Sequence, residues 1–395
     1  MALPPAWKIK RELRRIEKQL ERKVAPIKYV PRKVGHDLLW PLRVQQRPGQ
    51  LSLGAKVAVL VVYQPDGVAP STLFTLDHLA ENGWSSIVVS NSELTDSDVE
   101  ELEARSAFIL NRENIGYDFG AYRDGLKFLW RSSHKPDRLV LLNDSTWFPL
   151  REGDQTLARM EALNADFSGH IFKIEDENNR ARDHVESHLL MFSDQMCNSD
   201  DFQKFWKSYV MTDSRDETIE KGEKAISQFA IHSSFTKETL LDREKLVALL
   251  EDLEDDALLE VAKNTVHHLV DTRNKVGAMI EAAGSGKPWR QEFIDWVYLE
   301  LSHSRHHLLS VTFFYAAMVH GGMGFVKKSS DLRFHLSRMK LLSMEQAGEI
   351  APLHPDVRRE VEAAVDAWVP SPNIEYQFQM RKLIDIKRDQ NMRAV

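Results

Sequence analysis

Residues 56–63, KVAVLVVY, form an unbroken run of apolar, mostly β-branched residues, the pattern of a strand buried on both faces of a parallel sheet. A turn, Gln64-Pro65-Asp66-Gly67, follows it. Residues 71–82 read as a helix, with Ser71 or Thr72 as N-cap and Leu73, Leu76 and Leu79 facing inward. SSIVVSN (85–91) reads as a strand, and 95–105 as a short acidic helix capped by Thr95 with Asp98 three residues on. Strand 106–111, helix 119–131 and strand 138–143 continue the alternation. That order predicts an α/β fold with a mostly parallel, doubly wound sheet and helices on both faces. Right-handed crossovers then put the helix N-termini on the carboxyl-end side of the strands.

The pattern continues with helix 154–164, strand 166–174, a charged loop at 175–183, strand 188–193 and helices 201–209 and 219–232. Residues 243–283 change character: they read as helical and strongly acidic, with Leu246, Leu249, Leu253 and Leu258 on one face. Helices 289–303 and 306–320 follow, and the tail from 346 reads as short helices broken by prolines. Ahead of the first strand, Trp7, Ile9, Leu13, Ile16, Leu20 and Val24 make a narrow apolar stripe on a basic helix, 7–24. Pro26, Pro31 and Pro41 then mark an extended linker to about residue 53. The expected divisions are 1–53 (basic helix and linker), 54–240 (α/β domain), 241–345 (helical region) and 346–395 (helical tail).

Charge sharpens the reading of the arm. The net charge is −7, yet residues 1–35 hold eleven Lys/Arg against three Glu, 11 − 3 = +8, which leaves −7 − 8 = −15 for the rest. A basic amphipathic helix of this kind suits either an anionic membrane surface or packing on protein. There is no nucleic-acid signature. Cys197 is the only cysteine, so no disulfide forms within the chain, which fits a reducing compartment. The N-terminus has no apolar core of signal-peptide type. The longest apolar run, 308–325, is interrupted by His320 and two glycines and reads as a buried helix ending at Gly321-Gly322.

Two clusters carry candidate chemistry. Asn114-Ile115-Gly116-Tyr117-Asp118-Phe119-Gly120 leads from a strand into a helix whose free amides and dipole suit a phosphate. Asn114 and Asp118 can bond sugar or base hydroxyls; equally, Asp118 can simply cap the helix. Asn143-Asp144-Ser145 closes the next strand, where a carboxylate can hold a divalent cation or an Asx-turn can end the strand. Other motifs are weaker. Gly284-Ser285-Gly286-Lys287 lacks the Ser/Thr and the strand of a phosphate loop, and His303 and His307 lack the glutamate of a zinc-protease helix. Lys327-Lys328 suits either an acidic or phosphate-bearing acceptor or ordinary surface charge, with the surface reading favoured; the pairs Trp147-Phe148 and Phe205-Trp206 can stack on sugar faces but read first as core.

Together, ENIGYDFGAYRDGL and LLNDSTWFPL resemble the signature of the rhamnan synthesis protein F family, with VVYQPDG, VVSNSEL, HVESHLLMFS, FQKFWKSY, GEKAISQFAIHSSF and MGFVKKSSDLR extending the likeness over about residues 55–335. The resemblance implies a GT-A-like fold and a glycosyltransferase, plausibly a rhamnosyltransferase, acting in assembly of a cell-surface polysaccharide. It implies a nucleotide-sugar donor such as dTDP-rhamnose and a glycan or lipid-linked glycan acceptor. By that plan Asp66, Ser90, Asn91, Asn114, Gly116, Tyr117, Asp118, Asn143 and Ser145 flank the donor. Asp144 takes the place of the Asp-x-Asp metal motif, for Mg2+ or Mn2+, although only one Asp stands there. Glu223, with Glu220 as second choice, holds the place of the catalytic base. The implied location is cytoplasmic, peripheral on the inner face of the membrane, with the basic helix as anchor. The alternative is a non-catalytic glycan-binding or scaffolding component on a degenerate transferase fold.

Overall fold

The computed structural model describes residues 9, 12, 13, 27–175, 180–267, 270–302 and 308–369. The expected helix 7–24, apart from Ile9, Glu12 and Leu13, lies outside the described residues, as do His268, His303, His306, His307 and the tail beyond 369.

The strands are β1 (Val44–Pro48), β2 (Lys56–Val62), β3 (Trp84–Ser90), β4 (Phe108–Arg112), β5 (Arg138–Asn143), β6 (Thr146–Trp147), β7 (Phe167–Lys173), β8 (His184–Val185), β9 (Leu189–Ser193), β10 (Lys237–Leu241) and β11 (Val326–Lys327). One mixed sheet runs in the order β1-β4-β3-β2-β5-β9-β7-β10, with β8 on β7; β6 and β11 form a separate pair. The four central strands are parallel: Val59 lies opposite Ile87 on one side and Leu141 on the other, and Val89 opposite Leu110. β1 and β9 run antiparallel to their neighbours. The pleat splits β2 between two cores. Ala58, Leu60 and Val62 join one, and Val57, Val59 and Val61 the other. That two-sided burial is why the sequence shows a continuous apolar run, and it bears out the expected sheet with helices on both faces.

The stretch before residue 53 corrects the expected extended linker. Residues 27–38 are helical, Pro41 sits in the first turn of the short helix Trp40–Arg43, and β1 joins the sheet against β4. Pro41 is tolerated there because a first-turn N–H has no intrahelical partner to lose. His36 Nε2 lies 3.0 Å from both carboxylate oxygens of Asp124, Trp40 Nε1 donates to Asp124 at 2.9 Å, and Arg112 Nε donates at 2.6 Å. All four side chains are buried. Burial alone would raise the Asp124 carboxyl, but Arg112 and His36 outweigh it and hold it below the usual range. The opposite face of helix 27–38 exposes Ile27, Val30, Val34 and Leu38.

The acidic region 243–283 is three helices, Arg243–Glu251, Asp255–Lys263 and Val270–Gly284, the first capped by Asp242. Helix Arg290–Ser302 follows. In the described part of the expected helix 306–320, from 308 on, turns occupy 309–313 and the helix runs over Phe314–Val319. Phe313, Phe314, Ala316, Ala317 and Phe325 are buried in the core shared with β2, so the run's hydrophobicity serves packing. Among the described residues no helix is long and apolar enough to cross a membrane. The chain ends, as described, with helices Leu332–Gln346 and Pro355–Asp366, the latter packed on helix Pro70–Glu81.

Candidate active site at the carboxyl ends of β2 and β5

Chain order runs outward from β2 through β3 to β4, then returns to place β5 on the other side of β2. A crevice opens at such a reversal because the connections leave the sheet in opposite directions. The residues just past β2 and β5 meet there. Asp144 N donates to Val61 O at 3.1 Å, and Tyr63 N donates to Asp144 Oδ2 at 2.9 Å. Asn143 works in both directions: its Oδ1 accepts from Ser145 N (3.1 Å) and Ser145 Oγ (2.5 Å), and its Nδ2 donates to Asp118 Oδ2 at 2.9 Å. Thus an Asx-turn does end the strand, and the same side chain also joins the two sequence clusters.

Asp118 enters from the first turn of helix Tyr117–Arg131. Gly116 caps that helix at φ +79°, and Tyr117 is also left-handed at φ +52°. A Cβ on Gly116 would lie 2.7 Å from Met211 Cβ, so glycine is required both for its φ and for space. Tyr117 is partly exposed and donates its hydroxyl to Asp213 O at 3.0 Å. A non-glycine residue held in this conformation beside a polar crevice is the strain expected at a binding site.

Glu223 reaches the same place from the far side. It sits in a π-helical segment, Ile219–Lys224, between α-helical turns Arg215–Thr218 and Ala225–His232. The wide turn is tightly packed: Gly222 faces the Phe119 ring so closely that a Cβ would come within 2.6 Å of it. Glu223 Oε1 accepts from Ser187 N at 2.9 Å and lies 3.9 Å from His184 Nε2. Glu220 instead pairs with Arg182 (2.8 Å) and Lys224 (2.9 Å).

Asp118 feels the other two carboxylates. Burial, then Asp144 and Glu223, push the Asp118 carboxyl up to about 7, with Arg215 opposing. Burial also raises Asp144, against the Tyr63 amide and Lys328. A carboxyl raised by burial and by neighbouring carboxylates in a crevice marks a place suited to proton transfer or to a cation.

The remaining sequence candidates are more dispersed. Asn91 is buried, accepts from Arg112 Nη1 and donates to Tyr117 O at 3.4 Å, so it braces the turn. Ser90 is fully buried and donates to Ser92 O at 2.8 Å. Asn114 and Asp66 are exposed; among the described residues neither shows a side-chain hydrogen bond.

Residues that the sequence reading set aside or missed come from far along the chain. β11 pairs with β6, setting Lys327 opposite Thr146 and bringing Lys328 N to Ser145 O at 2.9 Å. The lysine pair is therefore no ordinary surface charge. Lys327 Nζ lies 2.8 Å from buried Glu186, and Lys328 is half-buried beside Asp144. Glu360, from helix Pro355–Asp366, accepts from Ser71 N (2.9 Å), Ser71 Oγ (2.6 Å) and Trp147 Nε1 (2.8 Å). Trp147, Phe148 and Trp206 are buried, as core residues.

A divalent cation fits this donor set in one way only. Among the described residues no three His, Cys, Asp or Glu side chains form a ready cage. Asp144, with Asp118 as an anionic neighbour, matches the pattern in which one or two carboxylates share the ion with water and a substrate's phosphates.

The family model of rhamnan synthesis protein F matches residues 86–271, which bears out the resemblance in the motifs that fall within that stretch, from VVSNSEL to GEKAISQFAIHSSF. The chain is 29% identical over 246 residues to the uncharacterized protein y4gN of Sinorhizobium fredii, 59% of this chain and 62% of that protein. It is also 29% identical over 161 residues to the virulence protein VirA of Vibrio anguillarum, 39% of this chain and 49% of that one. The chain thus spans about half to three fifths of the length of these relatives. Among solved structures, a mannosyltransferase from Pyrobaculum calidifontis in complex with GDP-Man and Mn2+ aligns over 89% of this chain and 90% of its own, at 12% identity and TM-score 0.32. The Mn/GDP form of core-mannan synthase A from Aspergillus fumigatus covers 44% of this chain and 69% of its own, at 8% identity and TM-score 0.27.

Proposed function

We propose that this protein is a glycosyltransferase that moves a hexosyl group, rhamnosyl in first place, from a nucleotide-sugar donor to a growing cell-surface polysaccharide. The observation that carries the reading is the convergence of Asp118, Asp144 and Glu223, from three separated stretches, at the reversal between β2 and β5. The donor's diphosphate lies over Asp144, and its sugar lies toward Asp118. In the transfer, the acceptor hydroxyl oxygen bonds to the anomeric carbon as the carbon–oxygen bond to the diphosphate breaks. The bonding pair leaves with the diphosphate, and the hydroxyl proton passes to Glu223. The Ser187 amide fixes that carboxylate in place. Asn143 holds Asp118, whose raised pKa suits a hydrogen bond to a sugar hydroxyl in either protonation state. Where Mg2+ or Mn2+ binds at Asp144, it supplies positive charge to the departing diphosphate.

The donor panel for testing is dTDP-rhamnose, with UDP- and GDP-sugars beside it. A rise in melting temperature with one nucleotide class, and release of its diphosphate in the presence of a glycan or lipid-linked acceptor, is the expected result. No shift and no turnover with any donor, with or without Mg2+ or Mn2+, defeats the proposal. The same reading places the protein in the cytoplasm, peripheral on the inner face of the membrane, with the basic N-terminal helix on anionic lipid. Co-sedimentation with anionic vesicles should then fall in high salt and on deletion of residues 1–24. Retention in both cases excludes an electrostatic anchor.

A further inference from the structure

The geometry points to Lys328 as a ligand of the donor's diphosphate, an ammonium that faces the leaving group beside Asp144. This inference rests on the proposed donor site and adds to it a residue beyond the stretch matched by the family model, which ends at 271.

Position comes first. Just beyond the β6–β11 pairing, Lys328 N donates to Ser145 O at 2.9 Å, so its backbone is tied to the Asn143-Asp144-Ser145 turn itself. The side chain lines a small cavity with Asn143, Asp144, Ser71, Thr72 and His188; its volume, about 10 Å3, suits one water. The diphosphate therefore takes the open side of the turn, where Ser145 is exposed.

The hydrogen-bonding arrangement comes second. Among the described residues, Lys328 Nζ has only long contacts: 3.5 Å to Ser71 Oγ, 3.9 Å to Glu360 Oε2 and 5.2 Å to the Trp147 ring. Its neighbour Lys327 makes a close pair with Glu186 at 2.8 Å. Glu360 is committed to stronger donors, namely Ser71 N, Ser71 Oγ and Trp147 Nε1, all within 2.9 Å. It is a positioning residue that sets the floor under the ammonium. An ammonium carries three donors, and here they are spread over distant acceptors, so a phosphate oxygen can displace those contacts.

Charge comes third. Asp118, Asp144 and Glu223 make the crevice negative, which opposes a diphosphate. One lysine at Asp144 offsets part of that repulsion without a metal. It also accounts for a turn with a single aspartate where a cation held by protein alone would need more ligands.

The test is equilibrium binding of dTDP, UDP and GDP and of the matching nucleosides to the full chain, in Mg2+ and in EDTA. The wild type should bind its diphosphate more tightly than the nucleoside. Lys328→Met should lose tenfold or more in diphosphate affinity in both buffers, leave nucleoside affinity unchanged and melt within a few degrees of the wild type. Lys328→Arg should recover most of the loss. Lys328→Gln, which keeps a polar chain, provides the same measurement should the methionine variant misfold. Unchanged diphosphate binding in a folded Lys328→Met or Lys328→Gln overturns the inference and leaves the transferase reading intact. A wild type that binds no nucleotide overturns both.

Discussion

Asn143 and Asp118, at the end of β5 and the start of a helix 25 residues earlier, are joined by a 2.9 Å hydrogen bond. The bond places a neutral donor against a carboxyl that its surroundings push up to about 7. The unfolded chain loses that proton near pH 4, whereas the native protein keeps it to about 7. The contribution of Asp118 to stability is therefore greatest at low pH and falls as pH rises through that window. Asp118→Asn, whose amide oxygen still accepts from Asn143, should be insensitive there. Its stability relative to wild type should improve between pH 4 and 8 by about 1–2 kcal/mol, less than the full shift because the carboxyl is partly exposed. Melting curves of both proteins across this range provide the measurement, and parallel curves would refute the raised pKa.

Glu223→Gln keeps an acceptor for the Ser187 amide but cannot take a proton. Transfer should slow by about 10²–10⁴-fold, with donor affinity within twofold of wild type. Single-turnover rates and binding isotherms separate the two quantities. Near-normal turnover would remove Glu223 as the base.

Asp124 bears on architecture. Removing it leaves the buried Arg112 guanidinium without its carboxylate and strips His36 and Trp40 of their shared partner. Asp124→Ala should cost about 3–5 kcal/mol. It should also release residues 27–48, read as faster proteolysis in that segment. Urea unfolding and timed digestion give the two readouts.

Gly116→Ala adds a methyl group 2.7 Å from Met211 Cβ at a φ of +79°. Strain and overlap together should cost about 2 kcal/mol, and the displaced turn should weaken donor binding. A variant as stable as wild type would mean that the turn relaxes freely.

Much of this was legible in the sequence. The apolar runs of β2 and β5 announce themselves because both faces are buried, and Asn143-Asp144-Ser145 is a local signal at a strand end. The segment 27–48 was misread because Pro31 and Pro41 dominate local propensity, while the contacts that order it are made with Arg112 and Asp124, some 70 to 90 residues away. Glu360 carries no local signal, and Lys328 only an ambiguous one, a lysine pair that reads first as surface charge. Their approach to Asp144 and Ser71 depends on a two-residue strand pairing and a helix-to-helix contact that no periodicity encodes.

The π turn at Ile219–Lys224 makes the orientation of Glu223 a question of helical phase. Each residue of an α-helix advances about 100° around its axis. Winding these six residues as ordinary α-helix, with the Phe119 and Ser187 sides unmoved, would swing the carboxylate around the barrel of the helix and away from Asp118. Any side chain at Gly222 would also press a Cβ to within 2.6 Å of the Phe119 ring, so the wide turn and the ring it packs on together set the phase at which Glu223 is presented to the crevice.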